Sequence, residues 1–205
     1  MLAALWAALL APAFTALGSP ISWLELIAFV LAVWMVVCNI RVHLLAWPLA
    51  ILSSLLYFAL FLDGKLYGEA GLQLVFIALA GWGWWQWRFG RTAEGDTLAP
   101  RRLGAAGLRV PVLLTLAAWP LLGAFLARVT DSPLPYWDAF PTVASLLGQW
   151  LLARKYEENW PTWIVVNAVS VVLFGIKGYW LTVLLYAGFI PMSVLGWRAW
   201  RQAAA

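Results

Sequence analysis

The chain reads as an all-α integral membrane protein of seven transmembrane helices, arranged as two parallel three-helix repeats joined by a linker helix. Three observations carry that reading. Of 205 residues, 64% are hydrophobic and 11% charged, where soluble domains run to about 45–50% and about 25%; the mean hydropathy is +0.86. The apolar runs recur along almost the whole chain, and at about 20 residues per span they leave room for seven or eight helices and little else. A block of three such runs then recurs at a constant spacing. The net charge of +4 is small and lopsided, the mark of membrane orientation rather than of nucleic-acid binding. A single cysteine, Cys38, excludes an intramolecular disulfide, and a single histidine, His43, leaves no cluster for a metal.

Residues 1–17 are apolar but short, and the first basic residue of the chain is Arg41, so the positive start of a signal peptide is missing. They read as an interfacial or partly inserted helix, with an extra span and a cleaved signal as alternatives. Spans follow at roughly 20–39, 44–62, 66–87, 110–128, 134–153, 160–176 and 178–198. The breaks fall at Arg41 and His43, at Asp63-Gly64-Lys65, through the polar stretch 88–109, at Asp131 with Pro133 and Pro135, through 154–159, and at Lys177-Gly178. The expected organisation is an N-terminal interfacial segment (1–19), a first repeat (20–88), a cytoplasmic loop with the linker helix (89–133), a second repeat (134–201) and a short tail (202–205).

Ten basic residues fall on one side of this arrangement: Arg41, Arg88, Arg91, Arg101, Arg102, Arg109, Arg154, Lys155, Arg198 and Arg201. Lys65, Arg128 and Lys177 fall on the other. The positive-inside rule then places the 88–109 loop and the C terminus in the cytoplasm of a cell whose plasma (inner) membrane holds the protein. One missed helix would scramble that segregation.

The internal repeat is the most informative feature. With Trp47-Pro48 set over Trp160-Pro161, an offset of 113, the chain runs forward without gaps. Leu60-Phe61 meets Leu173-Phe174, Phe76-Ile77 meets Phe189-Ile190, and Gly83-Trp84 with Trp87-Arg88 meets Gly196-Trp197 with Trp200-Arg201. Three spans plus one unmatched span bring the second copy into the membrane in the same direction as the first. Such a parallel repeat, related by an axis along the membrane normal, is the arrangement of SWEET-type carriers, which bind substrate near the midplane between repeats.

Helical rise sets the depth of each residue. Asn167 and Tyr186 lie near mid-membrane, and the offset pairs them with Ser54 and Gln73. Polar groups at that depth cost free energy unless they find partners, so they face a bundle interior or a cavity. Two readings fit them: glue between helices, or a binding site made of symmetry-related pairs. Trp160, Trp163 and Asn167 share one face of a helix, and a flat, cationic ring stacked there would gain from the tryptophan faces. Glu25, Glu69 and Asp138, near the outer helix ends, either attract a positive solute or pair locally with Lys65 and Lys177. No charged residue lies at mid-membrane, so no proton relay is visible and facilitated diffusion by alternating access is the simplest mechanism. Motifs for nucleophilic or metal-assisted hydrolysis are missing, no cofactor is implied, and the chain does not read as an enzyme.

The segment Asn159-Trp160-Pro161-Thr162-Trp163-Ile164-Val165-Val166-Asn167, with Lys177-Gly178-Tyr179 and Gly196-Trp197-x-x-Trp200 after it, resembles the C-terminal repeat of PnuC-type vitamin transporters. Trp47-Pro48, Leu66-Tyr67-Gly68, Gln73 and Gly83-Trp84 match the first repeat, and the likeness covers nearly all of 20–201. The resemblance implies a SWEET-like seven-helix fold assembled as a homotrimer in the lipid bilayer, importing nicotinamide riboside by facilitated diffusion. It implies substrate-binding roles for Trp160, Trp163, Asn167 and Gln73; with Ser54 and Tyr186 from the depth reading, and Trp47 at the position matching Trp160, these make up the candidate substrate-binding residues. Relatives of this kind also carry thiamine, riboflavin or deoxynucleosides, so thiamine stands as the first alternative. A SWEET-type sugar carrier and a non-transporting membrane scaffold follow it.

Overall fold

In a computed structural model, residues 2–16, 19–63, 67–178 and 180–204 are described. Among them the chain forms eight helices and one small hairpin: α1 (Leu2–Leu10), β1 (Pro12–Ala16), β2 (Ser19–Ser22), α2 (Trp23–Ile40), α3 (Ala46–Asp63), α4 (Tyr67–Phe89), α5 (Gly104–Val129), α6 (Pro135–Ala153), α7 (Asn159–Ile176) and α8 (Trp180–Ala203). It divides into two compact units, residues 1–84 and 85–205, with the boundary inside α4. Four helices are both long and apolar enough to cross a membrane among the described residues: α2, α5, α7 and the Thr182–Ala203 part of α8. Ala46–Leu60 of α3 is a shorter apolar helix. The chain is therefore a multi-pass membrane protein.

Its surface agrees with that environment. On α2, Leu24, Ala28 and Ala32 recur every four residues as a buried stripe, while Trp23, Ile27, Val30 and Trp34 lie exposed on other faces. The small residues let α3 come close enough for Ser53 Oγ to donate to the Ala28 carbonyl at 3.3 Å. On α5 the exposed residues include Leu113, Leu114, Leu121 and Phe125, a face suited to hydrocarbon rather than water.

The N-terminal segment departs from the single helix expected over 1–17. Helix α1 stops at Leu10, and an antiparallel hairpin runs from Pro12 to Ser22. Pro12 contributes no N–H to continue the helix, and the hairpin delivers Ser22 to the start of α2. There Ser22 Oγ accepts from the Glu25 backbone N–H at 3.2 Å, capping the helix. The linker helix also begins earlier than expected, at Gly104 rather than near 110. Its start is stabilised from 54 residues away: the Glu158 carboxylate accepts from the backbone N–H groups of Gly104, at 2.8 Å, and Leu103, at 3.0 Å. A carboxylate at a helix N-terminus satisfies free donors and complements the dipole.

The offset of 113 reappears in the backbone. Before α3, Arg41 N–H donates to the Val37 carbonyl, Val42 to Asn39, His43 to Cys38, Ala46 to His43 and Trp47 to Leu44. Before α7 the same five bonds join Arg154 to Trp150, Lys155 to Leu152, Tyr156 to Leu151, Asn159 to Tyr156 and Trp160 to Glu157. The matched residues Val42 and Lys155 are both left-handed, with φ of 53° and 56°, a conformation unusual outside glycine and strained for a β-branched side chain.

Candidate functional site

The tryptophans that open α3 and α7 are packing knobs. Trp47 is 2% exposed, and its ring covers Gly83 of α4 so closely that a Cβ there would collide with it. Trp160 is also 2% exposed, and a Cβ on Gly196 of α8 would stand 2.5 Å from its ring. Trp200 meets Trp160 edge-on at 5.5 Å. The Trp-Pro and Gly-Trp signatures of the sequence are thus two halves of one contact, made once in each unit. Both rings are covered by protein.

Further along α7, Trp163 is half-buried and lies over Gly148 of α6, with a Cβ there 3.0 Å from the indole. One turn on, Asn167 is 3% exposed and makes no hydrogen bond among the described residues. Ser170, one further turn along, is 1% exposed and likewise unbonded. The spacing 163, 167, 170 keeps all three on one helical face. The sequence reading names the first two as candidates and does not name Ser170, whose only signal is a hydroxyl in register with them. Ser145 on α6 and Ser193 on α8 are buried as well.

In the other unit, Ser54 on α3 and Gln73 on α4 are half-buried and make no hydrogen bond among the described residues. Glue between helices requires the bond. Ser53, next to Ser54, has that role through Ala28. Tyr186 does not sit at the level of Asn167: its ring stacks on Phe174 at 5.5 Å with 6° between planes, and Phe189 meets it edge-on at 6.4 Å. Phe174 is seven residues beyond Asn167, about 10 Å along the helix, so Tyr186 belongs to an aromatic group near the end of α7.

Charge is placed at the helix ends. Lys177 Nζ pairs with Asp138 Oδ1 at 2.6 Å, and Ser132 Oγ donates to the other carboxylate oxygen. Of the alternatives for the acids, local pairing is the one realised at Asp138. The Glu69 side chain and Lys65 lie outside the described residues. At the opposite end of α7, Lys155 is buried, donates to the Leu98 carbonyl at 2.8 Å and lies 4.9 Å from the Trp87 ring. Burial pulls its ammonium below the usual lysine range. Arg101 adds a strand-like pairing to the same turn, its N–H donating to the Lys155 carbonyl and its own carbonyl accepting from Glu157 N–H. Its guanidinium lies over the Tyr156 ring at 4.6 Å. No metal-holding cluster occurs among the described residues.

Comparison with known proteins identifies the family of the chain. The family model for the nicotinamide mononucleotide transporter matches residues 22–202. The riboflavin/roseoflavin transporter RibM of Streptomyces davaonensis is 28% identical, over 92% of this chain and 89% of that protein. The nicotinamide riboside transporter PnuC of Escherichia coli is 26% identical, over 91% and 88%. A crystal structure of the vitamin B3 transporter PnuC superposes with a TM-score of 0.72 at 26% identity, covering 88% of this chain and 81% of that one. With the family model spanning most of its length, the chain belongs to the nicotinamide mononucleotide transporter family, and its relatives are transporters rather than enzymes.

Proposed function

We propose that the protein imports a ring-containing vitamin, nicotinamide riboside in the first instance, by facilitated diffusion with alternating access. One observation carries the reading: Asn167, almost wholly buried and one turn from the half-buried Trp163 ring, has no hydrogen-bond partner among the described residues. An amide whose donors and acceptor are not used within the protein offers them to a ligand. Trp163 supplies the face for the ring, Asn167 fixes its polar edge, and Ser54 and Gln73 are the corresponding polar positions of the first repeat. Trp47 and Trp160 hold their helices in place, and Tyr186 belongs to the approach to the site. The fold reading that goes with this function is seven spans in a SWEET-like 3+1+3 order, with the domain boundaries given above. The assembly is a homotrimer, and the C terminus faces the cytoplasm across the inner membrane.

Riboflavin is a second substrate reading, favoured by the RibM relative, which is as similar to this chain as the PnuC relatives are. Thiamine follows as a third. Uptake into vesicles holding the purified protein separates them. Labelled nicotinamide riboside is expected to equilibrate without an imposed ion gradient and to be displaced by excess unlabelled ligand. Accumulation that requires a proton or sodium gradient would reject the uniport, and equilibration of riboflavin in its place would move the assignment to the second reading.

A further inference from the structure

The fate of hydroxyl groups differs along the second unit. Thr115, Thr130, Thr142 and Thr162 each donate to the carbonyl four residues back, at 2.9, 2.7, 3.1 and 2.9 Å. That local bond satisfies a helical hydroxyl wherever nothing better is offered. Ser170 could reach the Val166 carbonyl in the same way, is 1% exposed, and makes no such bond. It sits three residues from Asn167 and seven from Trp163, on their face of α7.

We infer that Ser170 is a further ligand-binding residue, taking the hydroxyl-bearing part of the transported molecule while Trp163 and Asn167 take its ring. The face then presents, in order, an aromatic plane, an amide and a hydroxyl. The amide lies about 6 Å along the axis from the ring and the hydroxyl about 4.5 Å further, a ladder that fits a flat ring joined to a polyol or pentose. A hydroxyl is both donor and acceptor, so it can bond a sugar hydroxyl in either sense. The inference rests on the vitamin-transport reading and deepens it: the site selects vitamins that carry hydroxyls on a chain or a sugar over bare rings.

The test is equilibrium binding to the purified full-length protein in detergent, using nicotinamide riboside and riboflavin, with nicotinamide and lumichrome as ring fragments lacking the hydroxylated part. Wild type binding neither vitamin would reject the function reading, and that result is visible before any variant is made. Where wild type binds, Ser170→Ala is expected to weaken the bound vitamin about tenfold, the loss of one hydrogen bond, with no fall in the melting temperature of the ligand-free protein. Ser53→Ala is the structural control: its hydroxyl already bonds Ala28, so it should lower the melting temperature and leave affinity unchanged. A Ser170→Ala affinity within twofold of wild type, or an equal loss for the ring fragment, overturns the assignment.

Discussion

The turns that open α3 and α7 share five backbone hydrogen bonds and a left-handed residue, yet they carry different loads. In the first repeat the turn holds Val42, His43, Leu44 and Leu45, and its one side-chain bond is the Leu45 N–H donating to His43 Nδ1 at 3.2 Å. In the second the matching positions are Lys155, Tyr156, Glu157 and Glu158, and every one of them reaches the segment 98–104. Lys155 bonds Leu98, and Tyr156 accepts from Arg101 at 3.2 Å. Glu157 meets Arg102 at 3.5 Å, and Glu158 caps α5. The geometry of the repeat therefore resides in the backbone turn and the Trp-on-Gly knob, which are common to both copies. The side chains of the second turn are specialised for tying down the start of α5.

The shared part should be the more fragile. Gly83→Val and Gly196→Val force a side chain into the Trp47 and Trp160 rings, and overpacking of this kind costs about 3 kcal/mol. Melting curves in detergent should fall by similar amounts for the two variants. A large drop for one and none for the other would break the equivalence of the repeats. The specialised part should be asymmetric. Glu158→Gln removes the charged cap of α5 and is expected to cost about 1 kcal/mol, whereas Leu45→Ala, at the matched position, should change stability little; equal effects would mean that the cap contributes nothing.

Much of this was legible in the residues. The apolar runs located α2, α3, α4, α6 and α7 to within three residues at each end, because an apolar run is a local property of the chain. The 113-residue offset pointed to the matched turns, since Trp-Pro and Gly-Trp mark both ends of one contact. The early start of α5 was not legible, because its cap comes from Glu158, far along the chain. The hairpin after Leu10 was hidden by apolar composition, which does not separate a short strand from a helix. Ser170 was missed because a lone hydroxyl in a hydrophobic helix reads as packing until its missing bond is seen.

Val42→Gly relieves a β-branched side chain held at φ 53° and should stabilise by about 1 kcal/mol, while Lys155→Gly loses the Leu98 and Trp87 contacts and should destabilise. Matching signs would contradict the division between shared backbone and specialised side chains. Lys155 also gives the second turn a pH dependence. Its folded pKa lies below the ordinary 10.5, so between the two values the unfolded chain holds the extra proton. Stability from this group therefore rises with pH across that window. Lys155→Met should flatten that rise in thermal melts taken across the alkaline range, and an unchanged slope would assign it elsewhere.

The central claim is that the α7 face binds a vitamin, and the most direct measurement is the affinity of nicotinamide riboside and riboflavin for wild type and Asn167→Ala, read by titration calorimetry. The account predicts binding of at least one of them to wild type and a loss of about tenfold or more on removing the amide, the cost of one buried hydrogen-bonding group. Equal affinity in the two proteins would contradict it.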